Sequence, residues 1–353
     1  MDTFDHERVV VTTGRRSGVP IIIAVHSTAL GQAAGGCRMW PYESWRDALD
    51  DAIRLSTAMT YKSALAGLPL GGGKSVIAIR AGHQLTPDDR REVMLDLGDV
   101  VESLHGIYGV AEDVGTTAED MLVVSERTAH AYCLPVIEGG SGEPSEPTAV
   151  GVYEAIRASC EHLFGDASVA GRRFTVVGLG QVGGRLARRL AAEGAQLRVT
   201  DLDERKRALA DEIGATWTQL QTAYAEPTDV LVPAALGGVL TPDTVAVLQC
   251  RAIIGPANNQ LASEDVASLI DARGITWAPD FVVNAGGVIH GALVDAAGKS
   301  SEEAMQQVLR IGETLRHVYS LAAEHHTTPA AAALQLARAR VAAAQSGREL
   351  ATA

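Results

Sequence analysis

The hexapeptide Gly178-Leu-Gly-Gln-Val-Gly183 constrains the fold of this 353-residue chain more than any other feature of its sequence. An apolar strand is predicted just before it, over 174–177, and a helix just after it, over 184–193. The alternation continues with further predicted strands at 196–200, 229–232, 252–254 and 275–277. Strands that alternate with helices predict an α/β fold with a parallel, doubly wound sheet.

Each glycine of this motif has a physical role in binding a diphosphate. Gly178 permits a tight turn, Gly180 lets phosphates approach the backbone, and Gly183 lets the helix pack closely against the strand. The first helical residues, Gln181 and Val182, offer free N–H groups and a partial positive charge to an anion. The motif therefore predicts a dinucleotide-binding turn.

The acidic residue Asp201, directly after the strand at 196–200, points to the identity of the dinucleotide. Its carboxylate would accept hydrogen bonds from the adenosine ribose and repel a 2′-phosphate, which favours NAD over NADP. Arg205 and Lys206 follow closely and would weaken that exclusion. The alternative is a glycine-rich turn without a ligand, since the chain has 36 glycines, but strand, helix and acid together favour NAD.

Composition and charge exclude several classes of protein. The chain has 43 acidic against 30 basic residues and a net charge of −13, whereas a general nucleic-acid binder needs a basic surface. No apolar run approaches eighteen residues and the first residues do not resemble a signal peptide, so no membrane association is expected. Four widely spaced cysteines predict reduced thiols in the cytoplasm, with neither a disulfide framework nor a metal site.

The composition changes once, over 135–147, where three prolines and three glycines fall within thirteen residues and no regular element is expected. We therefore predict two domains: 1–134 for substrate and oligomer contacts, and 135–325 for the cofactor. In the first, strands are predicted at 9–12, 21–25 and 75–79, with a helix that Ser44 and Asp47 cap and that runs towards Lys62. A long helix is predicted over 305–321, and 326–353 are expected to pack back on the first domain.

Two lysines occupy an unusual apolar and glycine-rich setting. Lys62 and Lys74 flank eleven residues of which four are glycine and none is charged. A lysine desolvated beside a second cation loses affinity for its proton and can serve as a general base. The other lysine would stay charged and bind an anion such as a carboxylate. Taken alone, this pattern leaves open that both are solvated surface lysines.

Three further polar positions follow apolar runs. Asp113, in the pair Glu112-Asp113, would exchange protons if it lay near a lysine, or would cap the helix that begins near Ala118. Asn258 follows the predicted strand at 252–254, and Asn284 follows the apolar run 281–283 in the same way. Strand ends of an α/β sheet carry ligand-binding loops, although asparagine is also an ordinary turn residue.

Together these segments resemble the leucine, phenylalanine and valine branch of the amino-acid dehydrogenases, which are relatives of glutamate dehydrogenase. The resemblance covers nearly the whole chain, and its motifs occur in the family's order: Gly35-Gly-Cys-Arg-Met-Trp40, Met59-Thr-Tyr-Lys62, Gly71-Gly-Gly-Lys74, Glu112-Asp-Val-Gly-Thr116, Gly178 to Gly183, Ala257-Asn-Asn259 and 279–287.

This resemblance implies an NAD-dependent oxidative deamination of an L-amino acid to a 2-oxo acid and ammonia in a cleft between the two domains. Lys74 would be the general base and Asp113 the proton shuttle. The substrate carboxylate would bind Lys62, the backbone at Gly36, and Asn258. Thr148 and Asn284 would lie against the nicotinamide, so both would be cofactor-binding residues. A homo-oligomer is also implied.

The resemblance further implies a substrate side-chain pocket formed by Ala34, Ala111, Val288 and Gly291. Ala111 matches the leucine-specific enzymes, whereas Ala34 replaces a leucine and Gly291 a valine. Both replacements are expected to enlarge the pocket, which favours a large apolar side chain, phenylalanine or leucine, with a valine-specific enzyme as the alternative. Two substrates that differ by one methylene are discriminated by only about 1–3 kcal/mol of binding free energy in the transition state.

Two rival functions remain to be tested. A 2-hydroxy-acid dehydrogenase shares the dinucleotide motif but normally uses a histidine–carboxylate pair, which the set Lys62, Lys74 and Asp113 does not match. A catalytically silent NAD-binding sensor is expected to have lost at least one of these three residues, and all three are present.

Overall fold

The computed structural model describes residues 4–263 and 265–352. They divide into two units, each described by itself below. The first consists of Met1–Glu143, Gly291–Ser301 and Ala337–Ala353, and the second of Pro144–His290 and Glu302–Leu336. No helix in the described part of the chain is both long and apolar enough to cross a membrane.

The first unit contains a mixed five-stranded sheet in the order β1-β2-β4-β3-β5. Strands β1 and β4 run antiparallel to β2, and β3 runs parallel to both β4 and β5. The helices of this part of the chain are α1, α2 and α3. The bounds are β1 Arg8–Thr13, β2 Pro20–Ser27, β3 Ala33–Tyr42, α1 Trp45–Ala66, β4 Gly71–Arg80, α2 Pro87–Glu102, β5 Tyr108–Glu112 and α3 Ala118–Ser125.

Both faces of this sheet are covered. On one face, Ile21, Ile23 and Ile77 pack with Met94 and Leu97 of α2 in the main core of the unit. On the other face, Ile22, Ala24 and Val76 meet Ala48 and Ala52 of α1. Because β2 is buried on both faces, its sequence is an uninterrupted apolar run rather than an alternating one.

Helix α1 begins as its sequence predicts. Ser44 and Asp47 form the capping box. Gly67 ends the helix in the left-handed region, at a φ of 67°. The last turn of the helix is hydrogen-bonded to a residue near the C-terminus, because Arg340 donates to the carbonyl oxygens of Ala64 and Leu65 at 2.9 and 3.0 Å.

The glycine-rich segment before Lys74 differs from its prediction, because β4 already begins at Gly71. Two close approaches explain why glycine is needed in this strand and opposite it on β3. A Cβ on Gly72 would lie 2.1 Å from the backbone nitrogen of Thr60 in α1, and a Cβ on Gly35 would lie 1.8 Å from the carbonyl oxygen of Gly73. These glycines therefore let α1 and β3 pack tightly around the strand that carries Lys74.

The second unit contains a six-stranded sheet in the order β11-β10-β9-β6-β7-β8, and every pairing in it is parallel. Numbered within the unit, the order is 6-5-4-1-2-3, which defines the doubly wound dinucleotide-binding fold. The predicted fold class is confirmed. The strands are β6 Arg173–Val177, β7 Gln196–Thr200, β8 Thr216–Trp217, β9 Val230–Pro233, β10 Ala252–Ile253 and β11 Thr276–Trp277.

The remaining helices connect or follow these strands. They are α4 Ser145–Phe164, α5 Gln181–Ala192, α6 Arg207–Glu212, α7 Leu220–Ala223, α8 Pro242–Val247, α9 Val266–Ala272, α10 Asp280–Val283, α11 Gly286–Gly291, α12 Ser301–Leu309, α13 Ile311–Glu324 and α14 Pro329–Thr352. Thr328 caps α14 through the backbone N–H of Ala331.

Three predictions in this part of the chain were wrong. The irregular segment at 135–147 is shorter than expected, because α4 begins at Ser145 and accommodates Pro147 in its first turn. The apolar run before Asn284 forms the helix α10 and not a strand, since its residues pack against α4 and α13. The single long helix expected over 305–321 is divided into α12 and α13 at Arg310.

Candidate active site

A buried ion pair between Lys74 and Asp113 is the centre of the first unit's candidate site. The Lys74 Nζ donates to Asp113 Oδ2 at 2.6 Å, and Lys74 is only 5% exposed. The two residues are 39 positions apart, with Lys74 on β4 and Asp113 directly after β5, so only the folded sheet brings them together. Lys74 is therefore not a solvated surface lysine.

Strand β3 separates the two strands that carry this pair and leaves room for their contact. Ser75 pairs with Cys37 and Ala111 pairs with Gly36, so Lys74 lies beside Gly36. A Cβ on Gly36 would lie 2.6 Å from the Cβ of Asp113. Glycine at this position is thus a condition for the close approach of the lysine and the aspartate.

The turn that follows β5 holds Asp113 in place. Its backbone N–H donates to Thr116 Oγ1 at 2.9 Å, and that hydroxyl donates to the carbonyl oxygen of Cys37 at 2.8 Å. Gly115 has a φ of 85°, and a Cβ there would lie 1.9 Å from the carbonyl oxygen of Met39. The alternative that Asp113 caps α3 was wrong, because Thr117 caps that helix.

The two neighbouring acids of this motif have opposite electrostatic surroundings. Burial alone would raise the pKa of Asp113, but attraction and hydrogen bonding by Lys74, with a further contribution from Arg38, lower it below the ordinary value. For Glu112, burial followed by the negative charge of Glu143 raises the pKa to about 7. Asp113 is therefore a stable carboxylate, whereas Glu112 gains or loses its proton near neutral pH.

Lys62 lies in the last turns of α1, the helix that covers the sheet face lined by Ala24 and Val76. Ala24 pairs with Lys74, and Val76 is two residues along β4 from it, so Lys74 projects from the face that α1 covers. Lys62 is half-buried at this position. The structure thus brings the first unit's predicted residues onto one sheet face and its covering helix.

One residue that sequence reasoning missed also contacts this pair. Arg38 Nε lies 3.5 Å from Asp113 Oδ2, while its Nη1 donates to Asp51 Oδ2 at 2.9 Å. Arg38 stands two residues after Gly36, and the half-buried residues of β3 alternate through Ala34, Gly36 and Arg38. That two-residue spacing is the signal that would have placed Arg38 on the face of the candidate site.

The residues expected to form the side-chain pocket have different surroundings. Ala34 and Ala111 lie on the neighbouring strands β3 and β5, both half-buried, while Val288 lies in the second unit. Gly291 belongs to the first unit, where a Cβ on it would lie 3.3 Å from Cys133 Sγ. The thiol of Cys133 thus occupies the space beside Gly291, a neighbour that the sequence did not reveal.

Cys133 is held firmly in this position. Its backbone N–H donates to Asp295 Oδ2 at 2.7 Å, and the N–H and hydroxyl of Ser141 bind the same carboxylate. Cys133 has a φ of 59°, a conformation that glycine adopts more easily than other residues. Burial, followed by the charge of Asp295, raises the pKa of the Cys133 thiol to about 12, so it stays a neutral thiol that fills space.

In the second unit, the glycine motif has the geometry that a diphosphate requires. Gly178 has a φ of 108°, and a Cβ on Gly183 would lie 2.1 Å from the carbonyl oxygen of Gly178. Helix α5 begins at Gln181, continues with Val182, and has no side-chain cap. A Cβ on Gly180 would meet no atom within 4 Å, so open space adjoins the uncapped helix N-terminus.

Asp201 follows β7 and is linked to the glycine motif. Its Oδ2 accepts the backbone N–H of Leu179 at 2.6 Å, and its Oδ1 accepts that of Asp203 at 2.9 Å. Each carboxylate oxygen keeps a second lone pair for a hydroxyl. Arg205 is bound to Asp203 by two hydrogen bonds at 2.8 and 2.9 Å, so Asp203 partly neutralises the nearest basic residue.

The second unit also brings together its other predicted residues. Asn284 Nδ2 donates to Asn258 Oδ1 at 2.7 Å, and Asn284 is almost fully buried. Thr148 Oγ1 accepts the backbone N–H of Gly287 at 3.1 Å, three residues after Asn284. A Cβ on Gly286 would lie 2.2 Å from the carbonyl oxygen of Pro147, so glycine allows this close packing between α11 and α4.

The glycine motif, open helix N-terminus and Asp201 fit a dinucleotide, and together they define an α/β oxidoreductase of the dinucleotide-binding type. Comparisons with known proteins define the family. Residues 6–130 match the model for the Glu/Leu/Phe/Val dehydrogenase dimerisation domain, and 197–348 match that for glutamate/leucine/phenylalanine/valine dehydrogenase.

Individual relatives match over nearly their full length. A leucine dehydrogenase from Thermoactinomyces intermedius is 39% identical over 97% of this chain and 92% of its own. A valine dehydrogenase from Streptomyces virginiae is 40% identical over 96% and 95%. The crystal structure of L-tryptophan dehydrogenase from Nostoc punctiforme has a TM-score of 0.82 at 34% identity, covering 97% of both chains.

The chain belongs to the Glu/Leu/Phe/Val dehydrogenase family. It is accordingly an amino-acid dehydrogenase, an oxidoreductase that acts on the CH–NH₂ group of its donor. The predicted family and reaction class are confirmed. Sequence reasoning missed Arg38 and Cys133 because their importance depends on contacts with distant residues.

Proposed function

We propose that the enzyme uses NAD to deaminate an L-amino acid with a large apolar side chain, phenylalanine or leucine, giving the 2-oxo acid, ammonia and NADH. A valine-specific enzyme is the alternative. The buried Lys74–Asp113 pair beside Gly36 carries this proposal, because it supplies two proton-transferring groups at hydrogen-bonding distance. The reaction needs no metal, and among the described residues no three His, Cys, Asp or Glu side chains are grouped to hold one.

Binding of the substrate carboxylate is assigned to Lys62, the backbone at Gly36, and Asn258. Lys62 supplies a cation, and the amide of Asn258 supplies a hydrogen bond whose direction is set by Asn284. Asn284 and Thr148 would hold the nicotinamide. When bound, NAD would accept the hydride from the α-carbon, while the protein orients the substrate and moves protons.

The proton transfers are assigned to the two groups of the ion pair. Lys74 Nζ would first pass a proton to Asp113 across their hydrogen bond and would then take one from the water that adds to the imino carbon. Asp113 would pass its proton on to the amino nitrogen until ammonia leaves. Their 2.6 Å hydrogen bond provides a direct route between them. Both groups are already in place before the substrate binds. The protein would therefore not have to reorganise during the reaction, which would lower the activation barrier.

The assembly is proposed to be a homo-oligomer, supported by the match of 6–130 to a dimerisation domain. A cytoplasmic location is also proposed, in keeping with four cysteines that are all free thiols. The partners are then the amino acid, its 2-oxo acid and ammonia, without nucleic acid or membrane.

Absorbance of NADH tests the function directly. The purified protein would be mixed with NAD and, separately, L-phenylalanine, L-leucine, L-valine, L-glutamate and the matching 2-hydroxy acids. NADH formation with phenylalanine or leucine in excess of valine is expected. Signal with hydroxy acids alone would indicate the other dehydrogenase class, and binding of NAD without any turnover would indicate a sensor.

The coenzyme preference provides a separate prediction. Asp201→Asn keeps one of the two oxygens that accept backbone N–H groups and removes the charge that would repel a 2′-phosphate. We expect the ratio of kcat/KM for NADP to that for NAD to rise about tenfold, equivalent to about 1.4 kcal/mol. Asp203→Asn is the matched control, since it removes a neighbouring charge. An unchanged ratio in Asp201→Asn would contradict the assignment.

The contact between Cys133 and Gly291 predicts a change of specificity. Cys133→Gly removes the thiol 3.3 Å from the Cβ position of Gly291 and places glycine at a φ of 59°. We expect kcat/KM for phenylalanine relative to valine to rise about tenfold, within the range for small changes in an apolar pocket. Cys250→Ala removes another free thiol as a control, and equal ratios in the two variants would exclude a role for Cys133.

A further inference from the structure

The charges around Asp113 continue beyond its contact with Lys74. Arg38 Nε is buried, has no hydrogen-bond partner among the described residues, and lies 3.5 Å from Asp113 Oδ2. The same oxygen accepts the hydrogen bond from Lys74. One carboxylate oxygen therefore lies between two cations that come from neighbouring strands.

The other end of the Arg38 guanidinium is anchored to α1. Its Nη1 donates to Asp51 Oδ2 at 2.9 Å, and the hydroxyl of Tyr42 donates to the same oxygen at 2.7 Å. Arg54 binds the second oxygen of Asp51 at 2.6 Å. Because Asp51 has three donors, its carboxylate has a fixed orientation, and so has the guanidinium that it holds.

We propose that Arg38 is a positioning residue for the reaction, whose guanidinium, fixed by Asp51, holds the Asp113 carboxylate ionised and aimed at Lys74. The inference rests on the proposed roles of Lys74 and Asp113. It adds a residue whose effect on the chemistry passes through Asp113 and not through contact with the substrate.

The electrostatic surroundings of Asp113 support this role. Lys74 and Arg38 are the cations that face it, and both offset the effect of its burial on its pKa. The Cys37 thiol and the Tyr108 phenol also face Asp113, but burial raises the pKa of both, so they stay neutral. Glu112, with a pKa of about 7, is the neighbouring group that titrates near neutral pH.

A cavity of about 650 Å³ makes the guanidinium accessible from one side. Arg38 contributes to its lining together with Trp40, Tyr42, Asp51, Arg54 and Val114. The Nε nevertheless stays buried at Asp113. A small planar cation added to the solution can therefore reach the space that a truncated Arg38 would leave, which permits a test by chemical rescue.

The experiment uses the full-length enzyme with Arg38→Ala and measures kcat and kcat/KM from pH 5 to 10, with and without guanidinium at non-denaturing concentrations. We expect kcat to fall about 10- to 100-fold, because the Asp113 carboxylate loses one of the two cations that face it. Without this cation the pKa of Asp113 rises, so the acid limb of the profile should move to higher pH. Guanidinium should restore at least part of kcat and move the acid limb of the pH profile back towards its wild-type position, whereas neutral urea should do neither.

Arg91→Ala is the matched control, since it removes an exposed arginine that binds Glu126 and takes no part in the anchoring of Arg38, and its pH profile should match the wild type. If Arg38→Ala does not fold, Asp51→Asn tests the same anchor, and we expect a smaller fall in kcat. A wild-type kcat and pH profile in Arg38→Ala would overturn the inference. If Arg38→Ala cannot be made, a wild-type kcat in Asp51→Asn would overturn it. A wild-type protein that forms no NADH from any amino acid would instead refute the proposed function.

Discussion

Replacing Lys74 by methionine is expected to lower kcat by about 10³- to 10⁴-fold with every amino acid that the enzyme accepts, the upper part of the range for losing a general base. Methionine has nearly the same length and suits the buried environment of this position. The variant therefore removes the ammonium group and its 2.6 Å hydrogen bond to Asp113 while preserving the packing of β4. Steady-state kinetics with saturating amino acid and NAD measure the effect.

Binding of NADH, followed by its fluorescence, should not change in Lys74→Met, because the glycine motif and Asp201 belong to the other unit. Lys299→Met serves as the control, since it removes an exposed lysine outside the candidate site. A variant that retains more than about a tenth of the wild-type kcat would show that Lys74 is not the general base. Loss of NADH binding together with kcat would instead indicate a general structural defect.

Adding a methyl group is expected to have different effects at two glycines of the dinucleotide motif: it should weaken NADH binding at Gly180 and destabilise the folded protein at Gly183. In Gly180→Ala the methyl enters open space, so the folded protein should lose less than about 1 kcal/mol of stability, the effect of alanine at a helix N-cap. The same methyl would lie where phosphates approach the backbone, so the Kd for NADH should rise at least about tenfold.

In Gly183→Ala the methyl would lie 2.1 Å from the carbonyl oxygen of Gly178, so the backbone must move. We expect a loss of about 1–3 kcal/mol of unfolding free energy, as for other overpacked positions. Thermal unfolding and NADH titration of both variants measure the two effects. Tight NADH binding by Gly180→Ala would show that the phosphates do not approach this residue.

Much of the second unit was predictable because its information is local. Each strand is a short apolar run, and the glycine motif specifies one turn whose backbone conformation only glycine adopts without strain. The parallel sheet then follows from alternating strands and helices. The exceptions were segments such as Phe281–Val283, an apolar run that forms part of α10, since a short apolar run is compatible with either element.

The first unit was less predictable because its glycines are used for packing between elements. Gly71–Gly73 form part of β4, although glycine disfavours strands, because Ser27 of β2, Thr60 of α1 and Tyr108 of β5 approach these positions too closely for side chains. Strand β3, which bears Gly36 and Arg38, was not predicted from its sequence. The central strand of the candidate site was therefore visible only in the folded sheet.

By itself the sequence determined the doubly wound sheet and the dinucleotide motif, and it predicted the lysine and the aspartate as reactive residues, since each depends on residue types within short segments. Tertiary structure alone decided which charges meet. Lys74 comes from β4, Arg38 from β3 and Asp113 from the turn after β5, and Cys133 fills the space that Gly291 leaves. Contacts between residues distant along the chain depend on strand register and close backbone packing, which no local pattern specifies.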